Sequence, residues 1–134
     1  MSTVEVERGR LRFFAEATGQ SDPLYTDVET AVKAGHPDLP VPPTFLFCLE
    51  MECRDDPFAF LSELGIDLRK VLHGEQGFTY HAMAHAGDTL TFDSALTGDY
   101  TKRGGALRFL VRTTTVTRDG EPIADLTNTI VVTS

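Results

Sequence analysis

The sequence has 134 residues, a formal net charge of −8 and a pI near 4.8, with 41% hydrophobic and 24% charged residues. This length and balance are typical of one globular domain, and we expect a single domain over residues 1–134. Binding to nucleic acid or to anionic membranes depends largely on Lys and Arg neutralising phosphate charge, so the acidic balance argues against both as general partners.

Cysteine spacing and hydropathy narrow the class further. Cys48 and Cys53 lie five residues apart with no second Cys/His group at metal-ligand spacing, so we expect reduced, structural thiols. No apolar signal core is visible at the N-terminus, and no apolar run approaches the roughly 20 residues that span a bilayer. These features predict a cytoplasmic protein without a metal site built from its cysteines.

Two helices are predicted near the N-terminus. A stripe with helical spacing is formed by Leu11, Phe14, Ala15 and Thr18. It predicts a helix from about Glu7 that stops at Gly19 as its C′ residue. Asp27 is placed to cap a second short helix, which runs through Ala34 and stops at Gly35.

A more apolar helix is predicted in the middle of the chain. Four prolines impose a stiff, extended approach over Pro37–Pro43. The following run, Thr44–Met51, is apolar nearly all round, so such a helix must be enclosed on most sides. A loop around Arg54–Pro57 then precedes another short helix, Phe58–Leu64.

The second half of the chain alternates with a period of two, which predicts strands. The alternation is seen in Phe78–Ala82, Leu90–Asp93, Phe109–Thr114, Thr114–Arg118 and Ile123–Val132. Turn signals fall between them at Gly87-Asp88, Lys102 to Gly105 and Asp119-Gly120. The last pair is a strong hairpin signal, so we expect a meander of long antiparallel strands.

Helices in the first half and strands in the second half predict an α+β fold rather than alternating β and α elements. An antiparallel sheet needs its apolar face covered, and Thr44–Met51 is the segment hydrophobic enough to cover it. We therefore expect the sheet to pack around this one central helix.

The stretch Phe14–Asp27 resembles the hydratase signature of MaoC-like dehydratases, A-x-x-[ST]-G-D-x-N-P-[IL]-H-x-D. The match to this signature has no gap. The resemblance extends over nearly the whole chain, through the segments Val41–Phe45, Val71–Gln76, Tyr80-His81, Ala86–Leu90 and Lys102–Gly105. The chain is thus similar to the N-terminal-type MaoC dehydratase domain and to dehydratase regions of type I fatty acid synthases. The resemblance implies a single hot-dog fold, a curved antiparallel sheet wrapped round a central helix.

The family chemistry needs a base at the α carbon of the acyl thioester, an acid for the β hydroxyl and a donor for the thioester oxygen. In catalytic members the signature supplies an Asp and a His, and these positions fall on Gln20 and Tyr25. Gln cannot transfer protons in this way, and a phenol with an ordinary pKa near 10 is a poor base at neutral pH. Asp22 either stands in for the missing acid or shapes the turn before Pro23.

The oxyanion-hole element also departs from the family pattern. Catalytic relatives have a His-Gly pair before the central helix, whereas this chain has Pro42 and Pro43, which lack an N–H group. The amides of Thr44 and Phe45 remain, at a helix N-terminus that favours negative charge. We expect them to cradle the thioester.

Other residues of the chain are candidates to replace the missing acid and base, and one loop is a candidate to bind phosphate. His73, Glu75 and His81 are visible acid/base candidates, or they fix the entry of a strand through hydrogen bonds. Lys102 and Arg103 form a small positive loop suited to the phosphates of CoA or acyl carrier protein, or a solvated hairpin. The predicted catalytic residues are Tyr25, Asp22 and His81. The predicted substrate-binding residues are Gln20, Thr44, Phe45, His73, Lys102 and Arg103.

The resemblance implies three possible functions, and a reaction at the C2–C3 bond that uses neither a metal ion nor a cofactor. The first is a subunit of an enoyl-thioester hydratase or 3-hydroxyacyl-thioester dehydratase that takes the Asp/His dyad from a partner, as in heterodimeric dehydratases. The second is a self-sufficient homodimeric hydratase with Tyr25, Asp22 or His81 in new roles. The third is an acyl-thioester binding module without turnover. A thioesterase is disfavoured because Glu50 lies two turns into the central helix rather than at its start.

Pairing is expected under each of these functions. A single sheet of this kind leaves an exposed edge strand, and closing that edge against a second copy or a partner subunit removes the unpaired backbone groups. We therefore predict either a homodimer or a heterodimer with a catalytic hot-dog subunit, acting on acyl-CoA or acyl carrier protein thioesters.

Overall fold

The computed structural model describes residues 1–54 and 56–134. Position 55, inside the predicted loop Arg54–Pro57, lies outside the described residues. Over the described ranges the chain forms an antiparallel sheet with helices on one face of it, as the sequence predicted. In the same ranges no helix is both long and apolar enough to cross a bilayer.

The four predicted helices are confirmed: α1 Arg8–Ala17, α2 Val28–Lys33, α3 Phe45–Glu52 and α4 Ala59–Glu63. The bounds of α1, α2 and α4 are slightly shorter than predicted, and α3 is displaced by one residue towards the C-terminus. α1 stops as predicted, since Gly19 has a φ of 71°, in the left-handed region that glycine tolerates. Asp27 does occupy the N-cap position of α2, but the predicted capping bond is wrong. Its carboxylate accepts a hydrogen bond from the Thr30 hydroxyl at 2.7 Å and makes no side-chain bond to a helix amide.

The sheet has the strands β1 Ser2–Glu5, β2 Val71–Tyr80, β3 Thr89–Lys102, β4 Leu107–Arg118 and β5 Glu121–Thr133. Among the described residues they lie in the order β1-β3-β4-β5-β2, and each neighbouring pair is antiparallel. The short strand β1 was not predicted. The strand β2 begins at Val71, well before Phe78, where the sequence pattern placed its start. The strand β2 lies at one end of this order, so its outer edge is unpaired within the described chain.

The Asp119-Gly120 hairpin is confirmed. Both residues have a positive φ, 50° and 81°, between the paired residues Arg118 and Glu121. Two consecutive positive φ values are the geometry of the two-residue hairpin loop whose twist matches that of the strands. This turn sets the first two pairs of β4 with β5, Arg118 with Glu121 and Thr117 with Pro122, and the register then shifts between Thr117 and Val116.

The core lies between α3 and the inner face of the sheet. Phe45, Leu46 and Leu49 of α3 are buried. They belong to one cluster with the inward residues Leu90, Phe92, Val116, Ala124 and Leu126. The expectation that α3 is enclosed on most sides is only partly correct, because Phe47, Cys48 and Met51 are half-exposed. One flank of the central helix is therefore open on the side of β2.

Candidate active site

An apolar pocket of about 390 Å³ lies where three segments meet. They are the signature loop, residues 20–25, the proline-rich segment, residues 37–43, and the end of β2. The pocket lining includes Tyr25, Val41, Pro43, Tyr80, His81 and Met83. Tyr25 and His81, two of the three predicted catalytic residues, thus lie at one pocket although 56 positions separate them in the sequence. Pro43, one of the two prolines in place of the family's His-Gly pair, lines the same pocket.

The signature loop is held by its own side chains. Gln20 accepts a hydrogen bond from the Asp22 amide at 3.2 Å, and Asp22 accepts one from the Leu24 amide at 3.0 Å. Asp22 therefore caps the short 3₁₀ turn Pro23–Tyr25. Both Gln20 and Asp22 are exposed, and their bonds position Tyr25 at the pocket. The catalytic role of Asp22 and the substrate-binding role of Gln20 stay predictions.

His81 has a carboxylate partner that the sequence did not reveal. Its Nε2 lies 2.8 Å from Asp125 Oδ2, and both side chains are about 40% exposed (40% and 43%). A histidine oriented by a carboxylate is an arrangement that can transfer a proton, because the carboxylate fixes the ring and its tautomer. Asp125 is one of several polar residues alternating along β5, so no sequence signal singled it out.

The wall of the pocket is closed by Tyr80, whose hydroxyl donates a hydrogen bond to the Pro43 carbonyl. Burial raises the pKa of the Tyr80 phenol, which keeps the hydroxyl a donor. The amide of Phe45, predicted to help cradle a thioester, donates to the Pro42 carbonyl at 3.0 Å. This amide is therefore already used in the turn that starts α3.

A second, more open groove of about 430 Å³ runs between α1, α3 and β2. It is lined by Phe14, Thr44, Phe47, His73, Gln76 and Phe78. The predicted substrate-binding residues Thr44 and His73 lie in this groove. The ring of Phe45 lies in the core, where it packs against Phe14 with ring centroids 4.9 Å apart.

Lys102 and Arg103 lie far from the pocket in one copy of the chain. They form the turn between β3 and β4, beside Thr133 at the end of the sheet where β2 begins, whereas the pocket lies where β2 ends. The Lys102 ammonium is 5.1 Å from the Phe109 ring centroid, an orientation stabilised by the cation–π attraction.

Two histidines brace the segments behind the pocket. His36 Nδ1 lies 2.9 Å from His85 Nε2, where the segment leading to Val41 pairs with the segment around Ala84. Burial lowers the pKa of His85, and the neighbouring His36 acts in the same direction. In the described chain, no cluster of three or more His, Cys, Asp or Glu residues could hold a metal ion.

The His85 environment predicts a loss of stability in weak acid. A histidine whose pKa is lower in the folded state binds fewer protons than in the unfolded chain, so its stability contribution is complete above pH about 6.5 and lost as the pH falls further. We expect the free energy of unfolding to fall as the pH drops below about 6.5, by up to about 1.4 kcal/mol per pH unit. Urea denaturation at a series of pH values measures this free energy of unfolding.

His85→Gln should flatten this pH dependence relative to the unchanged chain, and His73→Gln, at an exposed position, should leave it intact. Taking the difference between variant and parent removes contributions from other groups that titrate in the same window. An unchanged slope in His85→Gln would contradict the prediction.

Comparison with known proteins identifies the family. A family model described as "FAS1-like, dehydratase domain region" matches residues 1–126. The chain belongs to this family. Among the relatives of this chain, the UPF0336 protein of Streptomyces coelicolor is 43% identical over 96 residues, 69% of this chain and 61% of that protein. The UPF0336 protein of Saccharopolyspora erythraea is 38% identical over 131 residues, 95% of this chain and 80% of that protein.

Solved structures resemble this chain over almost its whole length. The HadBC (3R-hydroxyacyl-ACP dehydratase) complex of Mycobacterium tuberculosis has a chain with a TM-score of 0.82 and 24% identity, covering 96% of this chain and 89% of its own. A chain of the ChsH1-ChsH2 complex from the same organism has a TM-score of 0.79 and 20% identity, covering 99% of this chain and 85% of its own. A MaoC-like dehydratase has a TM-score of 0.84 and 27% identity, and the match covers 99% of this chain and 40% of that one. The predicted hot-dog fold and the MaoC-like resemblance are confirmed.

Proposed function

We propose that this chain is a subunit of a hydro-lyase acting at the C2–C3 bond of 3-hydroxyacyl or 2-enoyl thioesters, and that a second hot-dog subunit supplies the Asp/His dyad. The observation that carries the proposal is the pair Gln20 and Tyr25 at the dyad positions. Gln20 accepts a backbone hydrogen bond, and Tyr25 presents a ring to the pocket. Neither side chain is suited to move protons at neutral pH.

The reaction would divide between the two subunits. In dehydration, a base takes the proton from C2 while an acid protonates the hydroxyl leaving C3, so that the 3-hydroxyacyl thioester yields the 2-enoyl thioester and one water. The partner's dyad would perform both transfers. This chain would bind the apolar acyl portion in its pocket and groove and exclude water from it.

The outer edge of β2 offers the place for the partner. Its backbone groups are unpaired within the described chain, and the open flank of α3 lies beside it, with Phe47 and His73 lining the same groove. Two of the similar structures are by name complexes of two proteins, HadBC and ChsH1-ChsH2, which supports pairing here. A partner strand on this edge would complete the hydrogen-bond ladder.

Antiparallel pairing would also give the basic loop a role. The turn with Lys102 and Arg103 lies at the end of the sheet where β2 begins. If β2 pairs antiparallel with the matching strand of a partner, that end lies beside the partner's pocket end. Lys102 and Arg103 would then face the phosphates of CoA or acyl carrier protein bound at the partner's active site.

One specific observation favours a second candidate, a self-sufficient homodimeric hydratase. His81 lines the same pocket as Tyr25 and lies 2.8 Å from the Asp125 carboxylate. In this candidate His81 is the acid/base group, Asp125 is a positioning residue, and Tyr25 donates to the thioester oxygen or to the leaving hydroxyl.

Hydration of crotonyl-CoA by the purified chain separates the two candidates. We expect the chain to bind crotonyl-CoA without hydrating it, measured by calorimetry and by the absorbance of the enoyl thioester. Turnover by the chain alone that is abolished in His81→Gln and reduced in Asp125→Asn and Tyr25→Phe would establish the second candidate and overturn the first. Asp22→Asn tests the remaining predicted catalytic residue in the same assay.

A further inference from the structure

The outer face of the sheet changes character along its strands. The helices α1 to α4 contribute to the core on the inner face, and residues alternate between the two faces along each strand. Towards the pocket the outer face carries threonines, among them Thr113, Thr115 and Thr127. Near the turn between β3 and β4 it is apolar. Phe109 and Val131 point outward there, because the residue after Phe109 and the residue before Val131 are buried on the inner face.

Four outward residues form one apolar row across the strands β3, β4, β5 and β2. The register pairs Tyr100 of β3 with Phe109 of β4. It places Val131 of β5 between Phe109 and Leu72 of β2. Tyr100 and Leu72, at the two ends of the row, are 44% and 59% exposed. A contiguous apolar patch on a protein surface marks a binding site for another molecule.

Basic side chains flank this apolar row at both ends. Lys102 lies two positions after Tyr100 on the same face, with its ammonium 5.8 Å from the centroid of the Tyr100 ring. Arg103 follows it in the turn. Lys70 lies two positions before Leu72, and all three basic residues are exposed. In the part of the chain that the structure describes, none of the three forms an ion pair. The row therefore has a cationic border in a chain whose net charge is −8.

The dimensions of the row fit a helix laid across the strands. Neighbouring strands lie about 4.8 Å apart, so a row over four strands spans about 14 Å. A helix rises about 5.4 Å per turn, so side chains one turn apart would rest on successive strands over nearly three turns. Carboxylates beside this apolar stripe would reach Lys70 and Lys102. The adenine ring of CoA, in contrast, would cover only a part of the row.

We propose that this outer surface docks an acidic amphipathic helix of the protein that carries the acyl thioester, so that the substrate arrives on a carrier protein and not on CoA. The inference rests on the proposed function, which supplies the acyl thioester. Pairing along the edge of β2 leaves the outer face of the sheet open. Under antiparallel pairing, this end of the sheet lies beside the partner's pocket end, so a carrier docked here would stand next to the site where the partner's dyad acts.

A carrier protein without its prosthetic arm tests the docking surface alone. A bacterial acyl carrier protein in this apo form is titrated calorimetrically into the purified chain at low salt, with crotonyl-CoA titrated in parallel. We expect the apo carrier to bind. Its affinity should fall as the salt concentration rises, because contacts between exposed charges are screened.

Variants assign the binding to the row and to its basic border. Lys70→Glu and Leu72→Ala should each weaken binding of the apo carrier about fivefold, the first by replacing an attraction with a repulsion and the second by removing apolar contact. The matched controls are Lys33→Glu and Val32→Ala at exposed positions of α2, and both should bind the carrier as the unchanged chain does. Circular dichroism confirms that each variant is folded.

Activity of the two-subunit assembly gives a second readout. With a partner that carries the intact dyad, Lys70→Glu should raise KM for a crotonyl group on the carrier protein about fivefold. The KM for crotonyl-CoA should stay unchanged, because Lys70 would contact the carrier and not the thioester.

Each other outcome has a distinct meaning. A chain that binds crotonyl-CoA but not the apo carrier overturns the inference and leaves the proposed function standing. Carrier binding that neither Lys70→Glu nor Leu72→Ala weakens overturns it as well, since the helix would then dock elsewhere. Self-association that Leu72→Ala abolishes overturns it in favour of a second copy of the chain on the row. Failure of both crotonyl-CoA and the carrier to bind overturns the proposed function together with this inference.

Discussion

Mixing this chain with a hot-dog subunit that carries the intact Asp/His signature is expected to raise crotonyl-CoA hydration at least about 100-fold above the sum of the two proteins measured separately. The reason is that positioned general acids and bases typically contribute 10²- to 10⁴-fold each. This chain lacks them at Gln20 and Tyr25, while the partner would lack a complete acyl site. Absorbance of the enoyl thioester measures the rate, and size-exclusion chromatography measures the assembly.

Two controls sharpen this result. A partner with its signature Asp changed to Asn should assemble normally and stay inactive. Charge reversal in Lys102→Glu and Arg103→Glu should raise KM much more than it lowers kcat, and more at low salt, because the loop would contact phosphate and not the reacting carbons. A partner that is fully active alone, with no gain on mixing, would remove the basis of the two-subunit proposal.

The central helix predicts the largest effect on stability. Leu49 of α3 is 2% exposed and belongs to the core cluster against the sheet. Leu49→Ala removes buried methyl groups and leaves a cavity, which typically costs about 2–5 kcal/mol of the free energy of unfolding. Urea denaturation measures the loss as a lower midpoint with an unchanged slope.

Val32→Ala in α2 is the matched control. This side chain is 53% exposed, and we expect a change within about 0.5 kcal/mol. A Leu49→Ala variant as stable as Val32→Ala would mean that α3 does not carry the core as described.

The fold was predictable where the sequence pattern is local. The helices α1 to α4 and the Asp119-Gly120 turn follow from periodicity and from glycine positions that neighbours in the chain determine. The strand β1 was missed because four residues form a strand only by pairing with Thr89–Phe92, a contact that no local pattern encodes. The start of β2 was missed because the register shifts between His73 and Glu75, around Gly74, which interrupts the alternation.

The site was predictable only in part. Sequence likeness marked Tyr25 and His81, and the topology brings both to one pocket. Asp125 was not found, because its pairing with His81 depends on the register between β2 and β5. The open flank of α3 was also not foreseen, since an apolar helix has the same pattern whether its cover comes from its own chain or from another subunit.

The unpaired edge of β2 has a consequence for how the protein is made in a cell. A ten-residue strand at the end of a sheet is a template for pairing with an extended chain, and Glu75 is its one residue among Asp, Glu, Lys and Arg. If the two-subunit proposal holds, copies made in excess of the partner would therefore tend to join edge to edge. Balanced synthesis of the two subunits, for instance from one messenger RNA, would keep this edge covered from the moment the sheet forms.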